Sequence, residues 1–207
     1  MKTPAAFLSA GLACLPIVGQ ADPFRGLTVG ADVNLVDVVL GDPESDITTA
    51  QGVRVRDYEI SGGAEALALS VRVWIAPNGE TLAMRAETYR SEAGIEIGAT
   101  TVNDLLAHVG GRAALDMAHT LMLPVDDQWS WRVTWPVAGV PREYLQLTFT
   151  ADTLPEDQLS TYVPDEAVLS AIMVMSMSVA GQSLDLHTLN GAEQRRMGRS
   201  IRDLLNE

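Results

Sequence analysis

ALALSVRVWIAPNGETLAMRAETY, residues 66–89, decides the fold class. Asn78-Gly79 tolerates the positive φ angles of a two-residue hairpin turn, and apolar and polar residues alternate on both sides of it. Such a turn pairs Ile75 with Leu82, Val73 with Met84 and Val71 with Ala86, so one face of the ribbon is apolar throughout. The other face carries Trp74, Arg72, Arg85 and Glu87, with Arg72 directly across from Arg85. Like charges placed so repel unless an anion bridges them. Arg72, Arg85 and Trp74 are therefore the candidate ligand-binding residues, for a carboxylate or phosphate group. Neutralisation by Glu87 is the competing reading.

The same parity extends the sheet. In QWSWRVTW, residues 128–135, Trp129, Trp131, Val133 and Trp135 share a face, as do Leu145, Leu147 and Phe149 in YLQLTFT, residues 144–150. Ser130, Arg132, Thr134, Gln146 and Thr148 take the opposite face. An exposed aromatic stripe would suit a sugar or a peptide, but two strands with matching apolar faces bury each other, so the stripe reads as core. A third ribbon is expected about Gly181-Gln182 in AIMVMSMSVAGQSLDLHTL, residues 171–189, pairing Val179 with Leu184 and Met177 with Leu186. Met173, Met175 and Met177 then line one apolar face as core filler. Three thioethers also suit Cu(I), with His187 as a fourth ligand, but the parity sets His187 on the serine face. No cofactor and no metal is expected.

Four helices are expected. Thr101 and Asp104 form a capping-box pair at the start of TVNDLLAHVGG, which stops at Gly110. GRAALDMAHTLML, residues 111–123, reads as a second helix ended by Pro124. VPDEAVLSAI, residues 163–172, has Pro164 at a first helical position. The last, in NGAEQRRMGRSIRDLLNE, is capped by Asn190 and Glu193 and sets Met197, Ile201, Leu204 and Leu205 on one side. VNLVDVVL and GVRVRDYEI read as strands separated by the loop GDPESDITTAQG. The fold class is α+β: antiparallel β-hairpins forming a sheet or sandwich, a few short helices packed on it, and a C-terminal amphipathic helix.

The chain opens with Lys2, an apolar run from Ala5 to Val18 and Gly19-Gln20-Ala21, the pattern of a signal peptide cleaved after Ala21. A single domain over 22–207, periplasmic or secreted, is the expectation. Lipidation at Cys14 is the alternative, disfavoured because Gly11 stands where an aliphatic residue is wanted. Lys2 and Cys14 are the only lysine and cysteine. Residues 22–207 therefore have no means for Schiff-base chemistry, a P-loop lysine, a thiol nucleophile or a disulfide.

Lys and Arg number 14 against 27 Asp and Glu, a formal charge of -13, and such a surface repels nucleic acid and anionic lipid. Arg195, Arg196, Arg199 and Arg202 give the last helix a basic face. That helix is expected to dock on its own acidic domain, burying Ile201 and Leu204, rather than on a membrane.

Catalytic signatures are weak. Asp42, Glu44, Asp46 and Thr48 alternate like early calcium-loop ligands, but Ile47 and Val53 occupy the glycine and glutamate positions of that loop. Asp126 and Asp127 are adjacent, which suits a turn better than a pair of glycosidase carboxyls. Asp116 and His119, three apart, and His108 form the nearest approach to an acid-base or metal cluster. The composite expectation is an exported soluble domain of the cell envelope that binds a protein partner or small ligand without catalysis. A hydrolase using His119 and Asp116, or surface carboxylates, and a methionine-based Cu(I) protein are the alternatives.

Overall fold

A computed structural model describes residues 22–60, 68–140, 142–152, 162–180 and 191–206. Its elements in chain order are α1 (Val33–Leu40), β1 (Ser45–Thr48), β2 (Arg54–Ile60), β3 (Leu69–Ile75), β4 (Thr81–Ala86), α2 (Val102–Val109), α3 (Ala113–Asp116), β5 (His119–Val125), β6 (Gln128–Pro136), β7 (Glu143–Ala151), β8 (Val168–Ser176), α4 (Met177–Ala180) and α5 (Ala192–Leu205). The strands form one eight-stranded sheet in the order β1-β2-β3-β4-β8-β7-β6-β5, every neighbouring pair antiparallel. The fold is α+β, with a single sheet rather than a sandwich.

The ribbon at Asn78-Gly79 forms, with Val73 opposite Met84, Val71 opposite Ala86 and Arg72 opposite Arg85. Ile75 meets Thr81 instead of Leu82, because a bulge falls between Trp74 and Ile75. The Gly79 N–H donates to the Ala76 carbonyl at 2.9 Å and Gly79 lies at φ 87°, so the loop is a turn followed by a left-handed residue rather than a two-residue hairpin. The tryptophan ribbon forms in the expected register: Trp131 opposes Phe149, Val133 opposes Leu147 and Trp135 opposes Leu145. All six are fully buried, so the stripe is core.

The remaining cover comes from helices. Val36, Leu40, Val102, Leu105, Leu106, Ile201 and Leu205 join the apolar face of the sheet in one continuous cluster. Helix α2 carries the expected capping box: the Thr101 hydroxyl accepts from the Asp104 N–H, the Asp104 carboxylate accepts from the Thr101 N–H at 2.9 Å, and Gly110 ends it in the left-handed region. Helix α5 docks as expected, burying Ile201 and Leu205 while Leu204 is half-buried. Its cap is Gly191 with Gln194 in place of Asn190 with Glu193; Asn190 lies outside the described residues.

Several segments differ from the sequence reading. Residues 33–40 are a helix, not a strand. The Asp32 side chain accepts from the Asn34 N–H, and burial repeats at four residues, Val36 and Leu40, while Leu35 and Val38 are 50% and 82% exposed. Within the loop GDPESDITTAQG, Ser45–Thr48 is the edge strand β1. Polar cross-strand contacts hold it, Asp46 binding Arg54 and Arg56, and Ser45 binding Asp57, so no apolar alternation marks it.

The expected helix over 111–123 is cut to Ala113–Asp116, and His119–Val125 becomes β5, with Met122 opposite Trp131. Pairing along the edge of β6 outweighs the helical propensity of its leucines and methionine. The expected helix over 163–172 is instead a turn, with the Ala167 N–H donating to the Pro164 carbonyl, followed by β8. The strand expected through Met173 and Met175 is present and begins earlier, at Val168, because β7 pairs along Leu169, Ala171 and Ile172; Ala171, Ile172, Val174 and Met175 are all buried.

The third ribbon is also revised. Strand β8 ends at Ser176 and residues 177–180 make a helical turn, so the ladder expected at Met177 and Val179 does not continue the strand. Its partners are β4 and β7. The turn at Gly181-Gln182 and its second strand, including His187, lie outside the described residues. Met175 packs against Ala83 and Tyr144 in a small cluster on the second face of the sheet. Replacing Met175 with alanine is expected to cost about 2–5 kcal/mol in a urea titration, as for other buried large-to-small changes; an unchanged midpoint would show that this cluster carries no packing energy.

Candidate functional site

The second face of the sheet differs from the first. Helix α4 covers one end of it, Val179 packing on the cluster of Ala83, Tyr144 and Met175. Beyond that end the face is polar. One cross-strand row runs through all eight strands: Ser45, Asp57, Arg72, Arg85, Met173, Gln146, Thr134 and His119, each opposite the next. The row exists because β8 pairs with both β4 and β7, setting Met173 between Arg85 and Gln146.

A groove of about 350 Å³ opens on this face. Trp74, Arg85 and Met173 line one part of it, and Gln146, Thr148 and Arg132 another, with Ser130, Thr150, Ser170, Gln128 and Val125 completing the wall. Its volume lies in the range of small-molecule sites.

The three residues proposed from the sequence part company here. Arg72 binds Asp57 on β2, Nε to Oδ1 at 2.6 Å and Nη2 to Oδ2 at 3.4 Å, and is not part of the groove wall. The hydrogen bond from Arg72, assisted by one from Ser45, holds the Asp57 carboxyl below the ordinary aspartate value. Arg72 and Arg85 thus sit opposite each other with separate counter-ions. Arg85 Nε lies 3.4 Å from Glu87 Oε1, yet that Nε is buried and makes no hydrogen bond among the described residues. Trp74, half-buried, remains in the groove with Arg85.

Arg132 is the residue that sequence reasoning passed over. It is half-buried in the middle of β6, opposite Thr148, and its guanidinium has no ion pair or hydrogen bond among the described residues. Parity had placed it with Gln146 and Thr148, but nothing local joins that ribbon to the one carrying Arg85. The Gln146 amide donates to the Thr134 hydroxyl at 3.0 Å, which leaves its carbonyl oxygen as an acceptor. The Ser170 hydroxyl donates to the Thr148 carbonyl at 3.2 Å. Asp152 is tied to the Gln128 amide at 2.7 Å at the edge of the site.

The other candidates are scattered. Asp116 ends α3 and is exposed, whereas His119 begins β5 opposite Thr134, so the helix face expected to align them does not exist. His119 Nδ1 is buried without a hydrogen bond among the described residues, and His108 is exposed in the last turn of α2. Asp126 and Asp127 form the turn between β5 and β6, with Asp126 at φ 53°. Among the described residues no group of three or more His, Cys, Asp or Glu side chains could hold a metal ion. Nor is any helix among them long and apolar enough to cross a membrane.

No protein-family model matches the sequence, and no curated protein matches it. Among solved structures, the chain is similar to the crystal structure of an extracellular protein containing a SCP domain from Bacillus anthracis str. Ames, with 15% identity and a TM-score of 0.41. The likeness covers 74% of this chain and 45% of that one, so it spans less than half of that protein.

Proposed function

We propose that this chain is an exported binding domain, periplasmic or secreted after loss of residues 1–21, that holds a small anionic ligand in the groove on the polar face of its sheet. One observation carries the reading. The groove is lined by two arginines and no carboxylate, in a chain with 27 acidic and 14 basic residues. Arg132 brings a guanidinium with no counter-ion among the described residues, and Arg85 a guanidinium only loosely paired with Glu87. Burial beside neutral side chains strengthens a charge-assisted hydrogen bond to an incoming anion. Trp74 and Met173 supply apolar contact for the remainder of the ligand.

Titration calorimetry of residues 22–207 with benzoate and with inorganic phosphate tests this directly. Hydrogen bonds to charged groups contribute about 1.5–3 kcal/mol. A probe this small reaches one guanidinium at a time, so at least one of Arg132→Ala and Arg85→Ala is expected to weaken anion binding by about ten- to a hundredfold, while Arg72→Ala, committed to Asp57, leaves it unchanged. Equal affinity in all three variants would place any anion site elsewhere. The export half of the reading is checked separately by intact mass of the protein in the extracytoplasmic fraction, with an N-terminus at Asp22 expected.

A further inference from the structure

Building on the anion-binding reading of this groove, we infer that its ligand is an acidic saccharide, a short glycan carrying carboxylate or sulfate groups. The neutral part of the wall selects this ligand class. Ser130, Thr148, Thr150, Ser170 and Gln146 present hydroxyl or amide groups around the two arginines, and Gln128, whose amide N–H is held by Asp152, presents its carbonyl oxygen. A hydrocarbon-tailed anion would strip water from these groups and return no hydrogen bond, at about 1–3 kcal/mol for each group left unpaired. An inorganic anion would engage one guanidinium and leave the rest of the wall to solvent. A sugar ring matches the whole inventory. Its edge carries hydroxyls that donate and accept, and its C–H face is apolar and lies flat on an indole such as Trp74.

The dimensions agree. The groove crosses β4 at Arg85, β8 at Met173, β7 at Gln146 and Thr148, and β6 at Arg132. Three interstrand steps of about 4.8 Å separate the strands bearing the two arginines. A ligand that engages both is extended, with polar groups along its length, as a chain of sugar rings is. The hydrogen bonds from Gln146 to Thr134 and from Ser170 to the Thr148 carbonyl hold part of this wall in place before any ligand arrives.

The test compares four probes on the same protein: an oligogalacturonate, a sulfated oligosaccharide, a neutral oligosaccharide of the same length, and benzoate. At least one acidic oligosaccharide is expected to bind, ten times or more tightly than both the neutral oligosaccharide and benzoate, with affinity falling as salt rises. Arg132→Ala and Trp74→Ala are each expected to weaken that binding tenfold or more. Trp74→Phe, which keeps an aromatic face, separates loss of stacking from loss of folding, and a thermal melt of each variant accompanies the titration. If benzoate binds as tightly as the acidic oligosaccharides and does so through Arg85 or Arg132, the saccharide inference fails and the anion groove stands. If the neutral oligosaccharide binds equally well, the acidic part of the inference fails. If none of the four binds, the saccharide inference fails, and the anion reading falls with it when inorganic phosphate does not bind either.

Discussion

Ending the chain at Asn190 is expected to abolish its cooperative thermal transition. Helix α5 is part of the core: Ile201 and Leu205 are fully buried, and burial of each such side chain contributes about 1.5–3 kcal/mol. The Tyr89 hydroxyl donates to the Leu205 carbonyl, and the Ala138 N–H donates to the Arg195 carbonyl, so the helix also completes hydrogen bonds of the body. Its removal would uncover Trp135 and strand the buried Glu143. Together these losses consume much of the roughly 5–15 kcal/mol by which a domain is stable.

The closeness of the docking shows at Gly198, where an added Cβ would stand 2.3 Å from the Pro136 carbonyl oxygen and 3.0 Å from Trp135 Cβ. Gly198→Ala should therefore lower the melting temperature even though alanine favours a helix. A truncated chain that melts like the full one, and a full one that binds anionic vesicles through Arg195 and Arg196, would together mean that α5 is a membrane-recruitment helix.

Arg202→Met is expected to cost about 3–5 kcal/mol, the usual penalty for removing one partner of a buried ion pair. Arg202 and Glu143 side chains are 8% and 0% exposed, with Nη1 and Oε1 3.4 Å apart. The contact is electrostatic, since neither atom makes a hydrogen bond among the described residues. Arg202 is further held by its hydrogen bond to the Leu27 carbonyl at 3.3 Å and by the Phe24 ring, 5.5 Å away.

Stability at this pair varies with pH through the Glu143 carboxyl. Burial raises the Glu143 carboxyl above its ordinary value of 4.5, and the nearby Arg202 charge only partly offsets that. A carboxyl raised on folding holds its proton more tightly in the native state, so its contribution to stability falls as pH rises through and above 4.5. Without Arg202 the offset is gone and the fall is steeper. The deficit of Arg202→Met relative to the parent should thus shrink on acidification from pH 7 to pH 4.5, and Glu143→Gln in the Arg202→Met background should recover stability at pH 7. A deficit independent of pH, with no recovery in the double variant, would assign the cost to lost packing of the arginine stem alone.

How far these features are legible in the sequence depends on how local their causes are. The capping box of α2 and the apolar side of α5 are set within a turn or two of chain, and both appear as read. The ribbons at Asn78-Gly79 and at Trp131 are also local, because antiparallel neighbours joined by short turns obey a two-residue parity. Failures cluster where tertiary contact overrides local preference. Strand β8 reaches back through residues 168–172, where Pro164 and the acidic turn favour a helix, because β7 pairs along it, while β5 takes strand geometry from β6 despite helix-forming residues. In β1 the pairing is carried by arginine and aspartate rather than by apolar side chains.

Composition and parity by themselves determined which side chains share a face within the ribbons at Asn78-Gly79 and at Trp131, and that residues 22–207 hold neither lysine nor cysteine. They could not determine that two of those faces are one. Only the tertiary structure decided it, by inserting β8 between β4 and β7. No single ribbon can shield that strand, since its Ile172 and Val174 need the helix-covered face of the sheet and its Met175 needs Ala83 and Tyr144 on the other. Ala83 stands on β4 and Tyr144 on β7, each directly across from Met175, so this packing is made by cross-strand neighbours at both edges of β8, and the same insertion lays Arg85 and Arg132 in one groove.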